Sequence, residues 1–212
     1  CSKAGTLLDL KVMGKKAALE QLPELKADGL KGAIAYSDGE FNDSRMNVSL
    51  ATTAAAHGAA MANYVEVLSL LKEDGKVVGV EARDKRSGET FPIRAKVVIN
   101  ATGPFIDGIR AMDDASLPKL VVPSAVTHIL VPKLKLKDGV LIPEAPNGSV
   151  AFLKPFEGGT LIGTTEENTE LTINPQTTQK QVDYLRDLAN TILSPEQQIQ
   201  PSDIASVWTG IR

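Results

Sequence analysis

The chain contains few of the residues that form covalent cross-links or soft-metal sites. Among its 212 residues there is one cysteine, Cys1, and there are two histidines, His57 and His128. A lone cysteine excludes a disulfide within the chain, and one thiol with two imidazoles is too small a set for a typical zinc site. We therefore expect no disulfide framework and no metal centre.

Long hydrophobic runs and an excess of positive charge are also absent. No segment reaches the roughly 18 uninterrupted apolar residues that span a bilayer, and the amino-terminus lacks the basic start and apolar middle of a signal peptide. The 23 basic and 26 acidic residues give a net charge of −3, without the basic stripe that marks nucleic-acid binding. We therefore exclude nucleic acid as a partner and expect any membrane association to be peripheral.

Apolar residues make up 42% of the chain, which is ample for a folded core and excludes the disordered and fibrous classes. The chain starts at Cys1 rather than at a methionine, and it stops at Arg212 directly after an apolar, strand-like run. These two ends predict a piece of a longer protein.

The first hundred residues favour helices followed by an antiparallel meander. Helices are predicted from Thr6 to about Leu30 and, after a strand over Gly32–Tyr36, from Arg45 to about Asn63, with Asn42, Asp43 and Ser44 as the cap. The second helix is rich in alanine and therefore thin, which suits close packing against a sheet. Period-two patterns and turn residues then predict three strands over residues 64–71, 77–81 and 90–93.

An unbroken apolar run follows the meander, from Lys96 to Ala101. Such a run predicts a strand buried on both faces, as in a parallel sheet, and Gly103-Pro104 ends it. Ligands bind beyond the carboxyl ends of strands in open α/β sheets, so the segment Asn100–Gly103 is placed to contact one. Taken alone, the segment fits an ordinary strand that ends in a turn better.

The second half of the chain has mostly the pattern of β-strands. These are predicted over residues 121–131, 140–142, 150–154, 160–164 and 204–212, with turns at residues 146–148 and 157–159. One helix interrupts them, because Thr178 and Gln181 fit a capping box and Val182, Leu185, Leu188 and Ile192 share one face. The expected fold class is α/β (α+β).

The order of helix, three antiparallel strands and buried strand matches the back half of a flavin-binding Rossmann-like domain, although no G-x-G-x-x-G turn is present. Five blocks strengthen this match: residues 36–47 (YSDGEFNDSRMN), 100–104 (NATGP), 122–128 (VPSAVTH), 161–165 (LIGTT) and 208–212 (WTGIR). In this order and spacing they resemble the FAD-dependent glycerol-3-phosphate dehydrogenases, the mitochondrial form more than the bacterial one.

The resemblance implies two domains and a reaction. Residues 1–103 would be part of an FAD-binding domain, residues 104–206 a substrate domain on a mixed β-sheet with flanking helices, and residues 207–212 a return strand. The reaction would be oxidation of sn-glycerol 3-phosphate to dihydroxyacetone phosphate, with hydride transfer to FAD and electrons passed to ubiquinone. The isolated piece would be inactive.

The resemblance also assigns site residues. His128 matches a histidine near the substrate and would accept the C2 hydroxyl proton, a task suited to a group that titrates near neutrality. Arg212 matches an arginine that contacts the substrate, and its rigid donor fork suits a phosphate or an oxyanion. Without the resemblance, His128 would be interpreted as an ordinary core residue and Arg212 as a charge at a frayed chain terminus.

Four further residues would contact the cofactor. Thr102 and Gly103 would meet the dinucleotide, Val67 would meet the adenine through its backbone, and Gly210 would let the backbone approach the flavin ring. Thr164 and Thr165 lie near the site without an assigned role. The chain departs from the family pattern where Val126 replaces a glycine and Glu166 a shorter acidic residue.

The resemblance places the protein on the outer face of the mitochondrial inner membrane, or alternatively on a bacterial cytoplasmic membrane, and leaves a homodimer open.

Three alternative functions remain on the sequence alone. The first is a glycerol-3-phosphate oxidase that uses oxygen, the second an amine or amino-acid oxidase of the same flavin superfamily, and the third a non-catalytic β-rich binding or assembly module.

Overall fold

A computed structural model describes residues 10–146 and 148–212. Cys1, the predicted helix start at Thr6 and the turn residue Asn147 lie outside the described residues. The described chain forms two compact units. The sheet unit comprises residues 10–37 and 122–212, and the meander unit comprises residues 38–121. The domain limits at residues 103 and 206 stay a prediction.

The sheet unit begins with a small hairpin and a short helix. Strand β1 (Lys11–Gly14) leads into helix α1 (Lys15–Gln21), and strand β2 (Gly32–Ala35) pairs antiparallel with β1. The predicted helix to Leu30 is therefore wrong in extent. Its early part is a strand instead, and α1 ends at Gln21 because Leu22 precedes a proline, a position that disfavours helical backbone.

The meander unit opens with helix α2 (Asp43–Ala56), whose amino-terminal cap is Asn42: the backbone N–H of Arg45 donates to its side-chain oxygen at 3.1 Å. The helix ends seven residues before the predicted end at Asn63. Gly58 adopts a left-handed φ of 90°, and the N–H groups of Gly58 and Ala59 donate to the carbonyls of Ala55 and Ala54. This is a Schellman motif, which terminates a helix.

The predicted antiparallel meander is confirmed. Strands β3 (Val65–Glu73), β4 (Lys76–Asp84) and β5 (Thr90–Arg94) pair in that order, and helix α3 (Ile106–Asp113) follows them. Asp74 and Gly75 both have positive φ in the turn between β3 and β4. That pair of angles is typical of a type I′ hairpin.

Two expectations for the meander unit are wrong. No residue of α2 is buried, so within the described residues this thin helix does not pack closely on a sheet. The run from Lys96 to Ala101 is not a strand, and Val97 and Ile99 are 72% and 82% exposed. A strand exists only through hydrogen bonds to a neighbour, and no described strand pairs with this run.

A carboxylate ties the end of the meander unit to α3. The side chain of Asp107 accepts hydrogen bonds from the backbone N–H groups of Leu120 and Val121 and from Arg110. Partial burial acts to raise the pKa of Asp107, but the bonds from Arg110, Val121 and Leu120 outweigh it and hold the pKa below its ordinary value of 3.8.

The main sheet lies in the sheet unit. Its elements are β6 (Ser124–Val131), β7 (Val140–Ile142), β8 (Ala151–Phe156), β9 (Gly159–Gly163), β10 (Glu167–Asn168), helix α4 (Gln179–Ile192) and β11 (Ser206–Ile211). The strand order is β7-β8-β9-β6-β11, and β10 lies beside β9 along the same edge of β6. Every described pairing is antiparallel. The mixed α and β fold class is confirmed.

Helix α4 covers one face of this sheet. The predicted capping box of Thr178 and Gln181 is present, and the predicted apolar face of the helix packs inward. The core contains Ile129, Leu153, Ile162 and Leu185, all with no exposed surface. Each such side chain contributes about 1.5–3 kcal/mol on burial, so this layer holds the sheet unit together.

No helix among residues 10–146 and 148–212 has the length and apolar character to cross a membrane.

Candidate active site

Strand register places three predicted site residues on one face of the main sheet. In the β6–β11 pair, His128 faces Trp208 and Val126 faces Gly210. Residues that face each other across an antiparallel pair project to the same side, and alternate residues along a strand share a side. His128, Gly210 and Arg212 therefore lie on one side, and α4 covers the other. We call the side with His128 the open face.

Arg212 is held at the end of this face by its backbone and by an acidic side chain. Ser124 and Arg212 exchange backbone hydrogen bonds of 2.8 and 2.9 Å. The guanidinium Nη2 of Arg212 lies 2.8 Å from Oε1 of Glu166. Glu166 precedes β10, on the opposite edge of β6 from β11, so the ion pair crosses over β6 on the open face.

The Arg212–Glu166 pair contributes little to stability, since both side chains are about half exposed and such pairs contribute about 0–1 kcal/mol. Its effect is on orientation: it keeps the guanidinium over the strand that carries His128. The sequence marks Glu166 only as a departure from a family pattern, and the structure shows the contact that this longer side chain makes.

His128 lies on the central strand between two cross-strand partners. Trp208 faces it from β11, and Gly163 faces it from β9. The rings of His128 and Trp208 are stacked, with centroids 5.8 Å apart and an angle of 18° between planes. A Cβ built on Gly163 would overlap the His128 ring. Glycine at this position therefore leaves the space that the imidazole occupies.

A layer of threonine hydroxyls lies on the covered side, directly beneath the site. The hydroxyls of Thr127 and Thr209 are 2.7 Å apart, and those of Thr177 and Thr209 are 2.8 Å apart. The backbone N–H of Thr127 donates to the hydroxyl of Thr165 at 3.1 Å. The Thr127–Thr209 bond links β6 to β11, and the Thr127–Thr165 bond links β6 to the segment that follows β9. They give Thr165 the structural role that the sequence leaves unassigned.

The other predicted site residues belong to the meander unit. Val67 lies on β3, opposite Ala82. The hydroxyl of Thr102 donates to Oδ1 of Asn100 at 2.8 Å, and Gly103 follows with a left-handed φ of 57° and no atom within 4 Å of a built Cβ. The bend after residue 101 is thus held by a side-chain bond and is open above Gly103.

A cleft of about 500 Å³ lies at the β1–β2 hairpin and includes none of the predicted site residues. Its lining residues are Val12, Met13, Gly14, Lys31, Gly32, Ala33 and Ile34. Within residues 10–146 and 148–212 no group of His, Cys, Asp or Glu side chains could hold a metal ion.

Sequence reasoning missed Trp208, Gly163 and Glu166 as parts of the site. All three lie in or beside the matched blocks, but their contacts with His128 and Arg212 depend on which strands pair. The strand order β9-β6-β11 is not sequential, so spacing along the chain gives no direct sign of it. A proposed register for β6 and β11 would have found Trp208.

Comparison with known proteins finds one family model and many relatives. The model described as FAD-dependent oxidoreductase matches residues 2–212. The mitochondrial glycerol-3-phosphate dehydrogenases of Mus musculus and Homo sapiens are 42% and 41% identical over 209 residues. Each alignment covers 95% of this chain and 29% of the relative, so the chain spans less than a third of the length of these curated relatives.

Solved structures agree with this result. The glycerol-3-phosphate dehydrogenase from Bacillus halodurans, complexed with FAD, superposes with a TM-score of 0.84 at 33% identity, over 95% of this chain and 41% of that one. The L-alpha-glycerophosphate oxidase from Mycoplasma pneumoniae, with FAD bound, has a TM-score of 0.78 at 16% identity, over 96% of this chain and 53% of that one. The second likeness concerns the fold alone.

Proposed function

The chain belongs to the FAD-dependent oxidoreductase family, and from that premise we propose that it is the central part of a flavoprotein that oxidises sn-glycerol 3-phosphate to dihydroxyacetone phosphate. The observation that carries the proposal is the shared open face of His128, Gly210 and Arg212. It combines a proton acceptor, an accessible backbone and a permanent cation, and the relatives named above are glycerol-3-phosphate dehydrogenases.

His128 is the proposed base. Oxidation of the C2 alcohol requires loss of the hydroxyl proton as well as of the C2 hydride, and an imidazole suits that proton transfer near neutral pH. FAD, when bound, supplies the hydride acceptor. The ring of His128 stacks on Trp208 on one side and occupies the space left by Gly163 on the other.

Arg212 is the proposed anion contact. Its guanidinium is permanently charged and presents parallel donors, which suit a phosphate or the oxygen that gains charge at C2. Glu166 occupies part of this donor fork and leaves the remaining N–H groups for a substrate. The net charge of −3 does not oppose binding of an anion at a site with its own local cation.

The residues present fit a flavin cofactor at two places. At Gly210 the nearest atom to a built Cβ is Cγ2 of Val126 at 4.0 Å, so a planar ring could approach the backbone closely. At Gly103 the open left-handed turn leaves backbone exposed to a dinucleotide. We propose these contacts together with Thr102 and the backbone of Val67. The chain carries no G-x-G-x-x-G segment, so we expect the 212-residue piece alone to bind no FAD and to be inactive.

The finer features of the relatives are proposals for this protein. We propose ubiquinone as the electron acceptor and peripheral association with the outer face of the mitochondrial inner membrane, with a bacterial cytoplasmic membrane as the alternative. Names of relatives support the mitochondrial location. A homodimer stays open, and transfer to oxygen, as in an oxidase of the same fold, is the second candidate for the acceptor.

Anaerobic reduction of the flavin tests the proposed reaction. The longer flavoprotein that contains this chain should be purified with bound yellow FAD and mixed with glycerol 3-phosphate without oxygen. Bleaching of the flavin absorbance supports the dehydrogenase chemistry, and glycerol, which lacks the phosphate, serves as the control substrate. Flavin that stays oxidised with glycerol 3-phosphate but is reduced by an amino acid would replace this proposal by the amino-acid oxidase alternative.

A substitution at Gly210 tests the flavin contact. Gly210→Ala fits the chain itself, because its Cβ has room, so we expect the sheet unit to fold normally. If the flavin ring lies against this backbone, the added methyl group should lower FAD occupancy. Unchanged FAD occupancy would remove Gly210 from the cofactor site.

A further inference from the structure

We propose that Trp208 is a positioning residue that holds the imidazole of His128 in its reacting orientation, with Gly163 providing the space on the opposite side. The catalytic part of this inference rests on the proposed function. The contact itself does not, since it is a property of three strands of the described chain.

The geometry comes from register. His128 lies on β6, and its two direct cross-strand partners are Trp208 on β11 and Gly163 on β9. Direct partners on one side of a sheet have Cβ atoms about 4.5–5.5 Å apart. A tryptophan on one side and the absence of a side chain on the other therefore set where the ring can lie, and it leans over Gly163 with its plane 18° from that of the indole.

Within the described residues, Trp208 does not belong to the apolar core of the sheet unit. The side chain is 39% exposed and stands on the edge strand β11, on the side of the sheet that α4 does not cover. That core lies on the opposite side of the sheet, where Ile129 and Ile162 are fully buried. Its one aromatic partner among the described residues is His128.

A fixed ring matters because proton transfer needs the imidazole nitrogen within hydrogen-bond reach of the substrate hydroxyl. Loss of the stack would let the imidazole swing away from Gly163 while leaving the substrate's phosphate contact intact. The expected defect is therefore in the rate of flavin reduction and not in substrate affinity. A misplacement of about 1 Å can slow an enzyme by up to about 100-fold.

The contact can be tested in this chain without turnover, because Trp208 is its single tryptophan. A protonated imidazole next to an indole quenches its fluorescence, so we expect a pH-dependent step in emission. His128→Gln should abolish the step. His57→Gln is the matched control, since His57 lies beyond the end of α2 in the meander unit, and it should leave the step unchanged. Absence of the step in the unmodified chain, or its survival in His128→Gln, would contradict the stacking.

The positioning role can be tested in the longer flavoprotein. Trp208→Leu should slow flavin reduction roughly 10- to 100-fold with little change in substrate affinity, and Trp208→Phe, which keeps an aromatic face, should restore most of the rate. In a His128→Ala background, Trp208→Leu should have no further effect, because Trp208 acts through His128. An equal loss in that background, or an unchanged rate in Trp208→Leu, would overturn the proposal.

Gly163→Ala provides an independent variant. Its Cβ would overlap the imidazole, so we expect the fluorescence step and the flavin-reduction rate to fall together. Gly108→Ala, where no atom lies within 4 Å of a built Cβ, is the matched control and should change neither. If no variant, nor the unmodified flavoprotein, reacts with glycerol 3-phosphate while the fluorescence step follows His128, the proposed function fails and the stack stands.

Discussion

The two units of the chain hold themselves together in different ways. The sheet unit has a helix laid over one face of a five-strand-wide sheet and a continuous apolar core. In residues 38–121, all of which are described, the one buried hydrophobic side chain is Ala82. The sheet unit therefore carries its own core, whereas the meander unit buries almost no apolar side chain among its own residues.

The exposed apolar surface of the meander unit is extensive. Large apolar side chains of the meander unit that are exposed are Phe41, Met46, Val48, Leu50, Met61, Tyr64, Ile93, Val97, Ile99, Phe105, Met112, Leu117 and Leu120. Exposed apolar side chains in such number are typical of a surface that contacts something else. Since the curated relatives are more than three times longer than their aligned part, we propose that further segments of a longer flavoprotein cover this surface.

The largest expected difference comes from matched leucine truncations on two helices. Leu185 on α4 has no exposed surface, and Leu50 on α2 is 62% exposed. In the 212-residue chain, Leu185→Ala should lower the free energy of unfolding of the sheet unit by about 2–5 kcal/mol, because it removes core contacts and leaves a cavity. Leu50→Ala should change it by less than about 0.5 kcal/mol. Urea unfolding curves give both values.

The same two substitutions, Leu185→Ala and Leu50→Ala, can be compared again in the longer flavoprotein. If other segments cover α2 there, Leu50→Ala should become costly, approaching the effect of Leu185→Ala. A negligible effect of Leu50→Ala in both proteins would contradict the proposal that the surface around α2 is covered. A negligible effect of Leu185→Ala would contradict the core assignment itself.

A smaller difference in stability between the two units is expected when a threonine hydroxyl is removed from each. Thr209→Val in β11 removes the partner of the hydroxyls of Thr127 and Thr177, and Thr127 is fully buried. Leaving a buried hydroxyl without its partner costs about 1–2 kcal/mol. In Thr52→Val on α2, the lost bond is from an exposed hydroxyl to the carbonyl of Val48, and the change should stay within about 0.5 kcal/mol. Equal unfolding midpoints for the two variants would show that the threonine layer has no structural role.

The smallest effect is local and depends on pH. The pKa of Asp107 is below its ordinary value of 3.8, because the ionised carboxylate accepts the bonds from Arg110 and the Leu120 and Val121 amides. The stabilisation is therefore complete above pH 3.8 and is lost as the pH falls through the lowered pKa. Hydrogen exchange should show the protection factors of these amides falling in acid.

In Asp107→Asn the same amides should lose protection at neutral pH and show no further acid dependence. Constant protection factors in the unmodified chain through this acid range would mean that the carboxylate does not hold the segment. The sheet unit, which rests on an apolar core, should keep its protection over the same range.

Sequence patterns predicted those elements of the fold that turn residues, capping residues and side-chain periodicity determine. The meander follows from Asp74-Gly75 and alternating side chains, and α4 follows from Thr178, Gln181 and one apolar face. The run at Lys96–Ala101 shows the limit of such patterns. Its residues are as apolar as those of a buried strand, but the sequence does not show whether a neighbouring strand is present to pair with them. The predicted α2 extends beyond Ala56 because the alanine-rich pattern continues. The left-handed backbone of Gly58, which forms the Schellman motif, ends the helix instead.

The candidate site divides in the same way, into residues that the sequence indicated and contacts that it did not. Family-like blocks indicated His128 and Arg212, and strand register then placed both with Gly210 on one side of the sheet. The stack on Trp208, the space at Gly163 and the ion pair with Glu166 depend on the pairing of β6 with strands that are distant in sequence. Val67, Thr102 and Gly103 stay predicted cofactor contacts.

The rate of flavin reduction in His128→Ala tests the central claim most directly. In the longer flavoprotein, rapid anaerobic mixing with glycerol 3-phosphate should show a rate lower by about 10²- to 10⁴-fold, with substrate affinity changed far less. His57→Ala, which alters the other histidine, should reduce its flavin at the normal rate. A normal rate in His128→Ala would contradict the assignment of the open face as the reacting face.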